Sequence, residues 1–285
     1  MAVGFLPFST VGYSLSNTSE LTKDEDGTVI NKTASYAGDG GLQQVFAGVG
    51  FKVLDNLSIG ANISYIYGDI THSVTTAFSN SSSFSSVRLD KISINDYKLD
   101  FGLQYSYKFN KKHVLNFGAV YSLGHSVNGK GYKYNQKWLN GADYPSTQTG
   151  DTITNAFSLP HTFGAGLTYV YDNRLTIGAD FTYQQWEDAK FYNEKSYFSN
   201  RTKIAAGAEF VPNPYSRNYL KRVRYRVGGY YSDPYTKVDG QDGTREYGVS
   251  AGFGFPLFQS KSILNISGQY VRVSPEVKGM LEENY

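Results

Sequence analysis

The chain has 285 residues, no cysteine, and a formal net charge of +2 at pH 7. The lack of cysteine excludes a disulfide framework, a thiolate nucleophile and a metal site built from thiolates. The nearly balanced charge gives no support to nucleic-acid binding. Mean hydropathy is −0.40 and no apolar run reaches about 18 residues, so a membrane-spanning helix is excluded. A transmembrane β-barrel is still compatible, because only every second residue of its strands must be apolar.

The chain begins with residues 2–15, FLPFSTVGYSL and its flanks, which predict a first strand. This segment lacks the basic region, apolar core and cleavage site of a signal peptide. An exported barrel needs such a signal. We therefore expect that the signal has been removed or that the chain is part of a longer protein.

The clearest strand pattern lies in residues 57–67, LSIGANISYIY. Leu57, Ile59 and Ile63 fall on one face and Ser58 and Asn62 on the other, since side chains alternate along a strand. This third strand is expected to continue to about residue 71. A second strand over residues 41–54 precedes it, and Asp55-Asn56 predicts a tight hairpin between the two.

The same alternation returns along the chain and predicts eleven strands in all. The eight that follow are expected at residues 87–109, 115–124, 163–171, 175–184, 204–210, 223–231, 247–255 and 262–273. Long polar loops are expected at 16–38, 72–86, 126–155, 187–200 and 232–243, and short turns lie between them. This alternation of long and short connections is typical of outer-membrane barrels.

The predicted fold class is all-β: an antiparallel up-and-down transmembrane β-barrel that occupies residues 1–285 as a single domain. Aromatic residues cluster near strand ends (Tyr65, Tyr67, Tyr105, Tyr107, Phe109, Tyr169, Tyr171), as interfacial girdles require. An odd number of antiparallel strands would leave two parallel edges in a closed barrel. We therefore expect strands to be missing at both ends, and an open seam in the barrel wall formed by these residues alone.

Three segments carry a resemblance to a known family: FLPFSTVGYSL, GDGGLQQVFAGVGFKVLDNLSIGANISYIYG, and REYGVSAGFGFPL with SILNISGQYVRV. They resemble the outer-membrane long-chain fatty acid transporter family of FadL/TodX type, in the branch known as outer membrane protein transport protein. The resemblance implies a 14-stranded barrel in a Gram-negative outer membrane, plugged by an N-terminal hatch. That hatch has no counterpart here, and eleven strands with two before and one after would make fourteen.

What the resemblance implies about function is a porin-like channel for passive uptake of hydrophobic or amphipathic small molecules such as fatty acids. The alternative is a scaffold or shuttle barrel that binds a partner protein, as in a secretion system. Its contacts would lie at the extracellular loops 72–86 and 126–155. Expected partners are a hydrophobic ligand, lipid or detergent, and the lipids of the outer membrane, but no nucleic acid.

Arginines alternate along the ninth predicted strand, where Arg222, Arg224 and Arg226 all face inward by parity. Glu209 on the eighth strand is expected roughly opposite Arg224. The guanidinium groups offer a fixed fork of donors for a carboxylate or phosphate head group. The favoured interpretation is structural, with the arginines paired to acidic residues of the barrel interior.

Few apolar side chains are expected on the inward face. Phe46, Ile66 and Tyr230 are the main candidates to line a greasy pocket, and they are equally compatible with a role as packing against a hatch.

No enzymatic activity is predicted. The four histidines are scattered, and pairs such as His161 with Ser158 or His125 with Ser122 are near each other only because the chain is rich in serine. No catalytic residue, metal site or cofactor is predicted.

Overall fold

Strands dominate the computed structural model, which describes residues 1–23, 26–80, 83–139, 148–154, 157–191, 195–238, 240–257, 262–275 and 283–284. Within those ranges, thirteen strands of seven or more residues form one antiparallel sheet. They are β1 (Ala2–Lys23), β2 (Val29–Leu54), β3 (Leu57–Phe78), β4 (Phe84–Lys108), β5 (His113–Ser122), β6 (Gly129–Leu139), β7 (Gln148–Thr154), β8 (Thr162–Tyr171), β9 (Leu175–Gln184), β10 (Arg201–Phe210), β11 (Arg224–Ser232), β12 (Thr244–Pro256) and β13 (Ile263–Pro275).

Strands that follow one another in sequence are mostly neighbours in the sheet. The order is β1-β2-β3-β4-β5-β8-β9-β10-β11-β12-β13, and Glu283–Asn284 pairs with the end of β13. The hairpin β6–β7 is added beside the first half of β4, whereas β5 pairs with its second half. This up-and-down antiparallel order confirms the predicted fold class and the eleven predicted strands. The open seam stays a prediction.

Much of the sequence predicted as long loops is in fact strand. β1 to β4 continue through most of residues 16–38 and 72–86, and β6 and β7 occupy much of 126–155. Thr18 and Thr33 hydrogen-bond across β1 and β2 at 3.0 Å, as do Ser16 and Ser35 at 3.3 Å. The alternation rule failed here because most side chains on both faces of these segments are polar, so no apolar face repeats at every second residue. Residues 24–25, 81–82, 140–147 and 155–156 lie outside the described part.

The short connections define one end of the sheet, here called the short-turn end. Leu54 pairs with Leu57 around Asp55-Asn56, as predicted. Asp172 and Asn173 have φ of 51° and 53°, the left-handed conformation that Asp and Asn tolerate better than most residues. The opposite edge is called the long-loop end.

The two faces of the sheet differ as predicted. Outward side chains are apolar and exposed, as Ile59, Ile63 and Phe101 show, whereas Ser64 and Ile66 on the inward face are buried. Neither of the two short 3-10 helices in the described part (Trp186–Asp188 and Tyr219–Arg222) is long and apolar enough to cross a membrane.

A line of backbone irregularities, here called the crease, crosses β1 to β3 at one height. The register of β1 shifts between Pro7 and Ser9, and beside that shift Gly40 of β2 and Gly68 of β3 have φ of 109° and 142°. A Cβ on either glycine would meet a backbone oxygen at 2.2 to 2.3 Å, so the strands approach too closely for any other residue. The crease separates the lower wall from its long-loop extension.

A buried apolar cluster lies against the inner face beside the crease. It joins β2, β3 and β4 to two connecting segments and consists of Leu42, Ile66, Ile92, Ile94, Val127 and Leu159. Phe8, Ile70, Ile153, Phe157 and Phe191 pack around it. The sheet therefore curves enough for loops from its far half to cover the inner face of its first strands.

Candidate functional site

A cavity lined mostly by apolar and aromatic side chains lies inside the curved sheet, at the long-loop end. Its volume is about 500 Å³, within the range of small-molecule sites. Its lining comes from strands and loops far apart in sequence: Phe8, Ser9, Val11, Leu42, Ile70, His72, Ile92, Ile94, Phe157, Leu159, Gln184, Trp186, Phe191, Tyr197, Phe198, Arg201, Tyr235, Thr236 and Lys237.

The floor of the cavity is the inner face of β1 to β4. Val11 pairs with Gly40, Gly40 with Ile70, and Ile70 with Ile92, so one row across four strands presents aliphatic side chains. Gly40 contributes no side chain to this row, because the strands approach closely there. Since the floor is built on paired strands, its apolar surface is preformed.

Aromatic side chains of three loop segments form the roof. Trp186 is central, with ring centroids 5.2 Å from Phe198, 5.1 Å from Tyr235 and 6.3 Å from Phe157. Single β-bridges tie the segments together, one between Phe157 and Phe191 and one between Phe198 and Thr236. We call these five aromatic residues (Phe157, Trp186, Phe191, Phe198, Tyr235) the aromatic roof.

One edge of the cavity is cationic. Arg201 donates from Nε to Ser232 Oγ at 2.8 Å, and its guanidinium carbon lies 5.6 Å from the ring centroid of Tyr235. Lys237 lines the same edge. The arrangement can hold an apolar body between roof and floor and an anionic group at the edge.

His72 lies on the floor and is held by a tyrosine. Tyr13 Oη is 2.9 Å from His72 Nδ1, and the ring of Tyr13 covers Gly38, where a Cβ would meet it at 2.2 Å. Burial lowers the pKa of His72, and the negative charge of Asp90 opposes that effect. The cavity therefore presents an uncharged imidazole at neutral pH.

The predicted arginine ladder is only partly formed. Glu209 contacts two arginines, accepting from Arg224 Nη1 at 2.9 Å and from Arg226 Nε at 2.6 Å. In register Glu209 pairs with Arg226 rather than lying opposite Arg224. Arg222 precedes the strand in the 3-10 helix Tyr219–Arg222 and stacks on Tyr219 at 5.4 Å, because the chain turns there before β11 begins.

The predicted inward apolar residues do not form one pocket. Ile66 belongs to the apolar cluster beside the cavity, whereas the ring of Phe46 covers Gly4 on β1. Tyr230 lies on the far wall, where it donates to Glu246 and has Lys203 Nζ 4.9 Å from its ring centroid. The Glu209 group lies at the short-turn end, so Arg201 and Glu209 occupy opposite ends of β10.

A second cavity of about 490 Å³ lies along β2 to β9, nearer the short-turn end. Glycines widen it and polar side chains line part of it, among them Gly50, Gly60, Gly102, Gly118, Gly166, Ser58, Gln104, Asn116, Thr168 and Asp180. Ile59, Leu103, Phe117, Ala119 and Val120 line the rest, so this cavity is mixed in character and lacks the aromatic roof of the first.

The serine–histidine pairs are not arranged as catalytic dyads. His161 Nδ1 is 2.8 Å from Tyr121 Oη and accepts from the Gly124 backbone N–H. His125 stacks on Tyr97 at 4.7 Å, with Nε2 3.4 Å from Asp96. Among the described residues, no cluster of three or more histidine and acidic side chains has the geometry of a metal site.

Sequence reasoning missed most of the cavity. Ile70, Ile92 and Ile94 share the inward parity of Ile66 and lie within the predicted third and fourth strands, so parity alone identified them as inward residues. The roof residues follow no period, and the only available signal was the aromatic content of residues 186–198.

The model of the BamG family matches residues 1–285, and no curated protein matches the chain. A FadL homologue from Pseudomonas aeruginosa is 14% identical with a TM-score of 0.52, over 95% of this chain and 81% of that one. The RagAB peptide importer in its closed-closed state is 10% identical with a TM-score of 0.50, over 90% and 32%.

The toluene transporter TbuX of Ralstonia pickettii is 12% identical with a TM-score of 0.49, over 92% of this chain and 87% of that one. The likeness to the FadL homologue, at 14% identity, concerns the fold alone, and it confirms the predicted barrel-type architecture.

Proposed function

The chain belongs to the BamG family, and we propose that it is an outer-membrane channel for passive uptake of small amphipathic molecules with an apolar body and an anionic group. The observation that carries this proposal is the cavity under the aromatic roof, with Arg201 and Lys237 at its edge. The neighbours of the same fold named in the comparison include a FadL homologue, which agrees with it.

The proposed path begins at the long-loop end. An aliphatic or aromatic body is buried between the aromatic roof and the floor. Each methylene group that leaves water stabilises the complex by about 0.8 kcal/mol. The anionic group pairs with the cationic edge. Release follows into the wider, glycine-lined second cavity, and the concentration gradient of the solute carries it on toward the short-turn end.

The chain's own tryptophans make binding measurable. It contains two, of which Trp186 lies in the aromatic roof and Trp138 at the end of β6, outside the cavity. In a Trp138→Phe variant, a bromine-labelled decanoate should quench the remaining fluorescence, because bromine quenches only at close range. Decylamine carrying the same label should quench at higher concentration.

Replacement of the cationic edge tests the head group. We expect Arg201→Gln with Lys237→Gln to weaken decanoate binding about tenfold, as loss of about 1.4 kcal/mol would do. Lys111→Gln with Lys112→Gln, which removes two positive charges at the short-turn end, is the matched control. Equal quenching by decanoate in the edge variant and the control would exclude the edge as head-group site, and no quenching at all would refute the cavity itself.

A protein-binding scaffold is a second candidate, favoured by one observation. Leu15, Leu21 and Phe84 are 58–63% exposed on the long-loop extension of β1 and β4, where membrane lipid would not cover them. Photo-crosslinking from position 15 or 84 in intact cells should capture one defined protein under this hypothesis. Crosslinks to many proteins, or to none, would leave transport as the function.

A further inference from the structure

The outward face of the long-loop extension differs in chemistry from the wall below it. On β3 the apolar outward series starts at Leu57 and ends at the exposed tyrosines Tyr65 and Tyr67. Above that height, the outward positions of β1, β2 and β3 carry many hydroxyl groups, among them Ser16, Thr18, Thr33, Ser35, Ser73 and Thr75. The extension thus presents a hydroxyl-rich outer face on top of a lipid-facing apolar one.

The change falls at the height expected for the upper boundary of the membrane. Ten positions separate Leu57 from Tyr67. With a rise of about 3.4 Å per residue and a tilt of about 40°, they correspond to about 26 Å, close to an apolar band about 25 Å tall. Tyrosine is a residue that marks this boundary in membrane proteins. The extension therefore begins where the acyl chains of the outer leaflet end.

Aromatic side chains lie on the same outer face, on β6. Tyr132 pairs with Lys91 of β4 and Tyr134 with Leu89, and both tyrosines are close enough to Lys91 to interact with its charge. The row of Tyr134 passes through Ser73, six positions beyond Tyr67 on β3. The two tyrosines therefore stand on the order of 16 Å above the tyrosine boundary.

The ring of Tyr134 forms a flat platform on the sheet. It lies over Gly150 of β7, where a Cβ would meet ring atom Cε1 at 3.2 Å. Because glycine has no side chain, the ring rests on the backbone of the neighbouring strand and turns its other face to solvent, and Tyr134 is 40% exposed. Gln136 and Trp138 continue the outward series along β6.

A sugar ring matches this combination of groups. Its C–H face packs on the electron-rich face of an aromatic ring, and the hydroxyl groups at its edge need donors and acceptors. The ion pair of Lys91 Nζ with Asp69 Oδ2, at 2.9 Å, offers both beside the tyrosines. A protein partner fits less well, because the cores of protein interfaces are poor in serine and in charged residues.

The face is also continuous with the lipid-contacting wall directly below it. The part of an outer-leaflet lipid that extends beyond the acyl chains beside this wall is its head group. We propose that the outward face of β4, β6 and β7 binds the saccharide chain of an outer-leaflet glycolipid, with Tyr132 and Tyr134 as the stacking platform.

This site rests on the outer-membrane location but not on the proposed solute. It lies on the outer face of the sheet, and the ligand cavity lies on the inner face. The two tryptophans report on the two sites separately, since Trp138 shares the outward face with Tyr134 and Trp186 lies in the aromatic roof. Failure of one proposal would therefore be visible without failure of the other.

The test uses the full chain in a polyoxyethylene detergent, which carries no sugar that could compete. In a Trp186→Phe variant, only Trp138 emits tryptophan fluorescence. The probe is the polysaccharide that mild acid releases from the lipopolysaccharide of the same bacterium. We expect it to shift the emission to shorter wavelength in a saturable manner.

Variants of Tyr134 in that background test the platform. We expect Tyr134→Ala to weaken binding of the polysaccharide about tenfold, whereas Tyr134→Phe, which keeps the ring, should retain most of the affinity. Tyr215→Ala removes a tyrosine that is 92% exposed at the short-turn end and should change nothing. If Tyr134→Ala does not fold, Gly150→Val is the second variant, because its side chain displaces the ring from the backbone.

Three results would overturn the site. The first is the same affinity in Tyr134→Ala or, failing that, Gly150→Val as in the parent protein, and the second is no response of Trp138 to the polysaccharide. The third is a response to the capsular polysaccharide alone, which would refute the assignment to a glycolipid. Photo-crosslinking from position 136 in intact cells should likewise yield glycolipid adducts, and capture of one defined protein instead would overturn the saccharide as occupant.

Discussion

Glu209 accepts hydrogen bonds from two arginines at the short-turn end. A variant of Glu209 can therefore show whether these arginines stabilise the wall or bind the head group of a solute. We expect Glu209→Gln to lower the free energy of unfolding by about 1–2 kcal/mol, because charged hydrogen bonds to Arg224 and Arg226 are lost. The measurement is the urea midpoint of the refolded barrel. Lys52→Gln, which breaks the exposed pair with Asp55, should cost much less.

The same Glu209→Gln variant can also give the opposite result. Unchanged stability with altered uptake of decanoate would assign the arginines to the solute path instead of the wall.

His72 should make the long-loop extension sensitive to acid. Since burial lowers its pKa, the unfolded chain binds more protons between the folded value and about 6.5, so stability falls as pH drops through that window. We expect the urea midpoint to fall more between pH 7.5 and 5.0 in the wild type than in His72→Gln. An equal fall in both proteins would assign the acid sensitivity to other groups.

The crease is the part of the sheet where adding a single methyl group should destabilise the fold most. Gly68→Ala forces φ of 142° on an alanine and brings its Cβ to 2.3 Å from the Gly41 carbonyl oxygen. We expect a loss of about 1–3 kcal/mol, as is usual for stored backbone strain. Gly102→Ala is the control, because nothing lies within 4 Å of its Cβ. Equal midpoints for the two variants would mean that the crease relaxes without cost.

Strands were predictable from the sequence where one face is apolar and the other is polar. β5, β8 and β9 were predicted because an apolar outward face alternates with a polar inward one, as Leu167 and Thr168 do. The extension of β1 and β2 has Thr18 and Thr33 among polar neighbours on both faces, which leaves no period to detect. The aromatic roof depends on three loops that meet only after the sheet has curved, and no local pattern of sequence encodes such a meeting.

The whole molecule should have one defined orientation, which its lack of native cysteine makes easy to test. A single cysteine at Ser19, on the extension, should react with an impermeant maleimide on intact cells. A cysteine at Asn56, in a short turn, should react only after the outer membrane has been permeabilised. The reverse pattern of labelling would contradict the proposed orientation.

The unequal strand lengths affect the direction from which a large particle can approach the opening at the long-loop end. β2 has 26 residues and β10 has 10, so one side of the rim rises above the other by an amount on the order of 40 Å. Paired strands form the taller side. They obstruct a bulky particle that approaches from that side, parallel to the cell surface, whereas a particle that approaches from the shorter side can reach the opening.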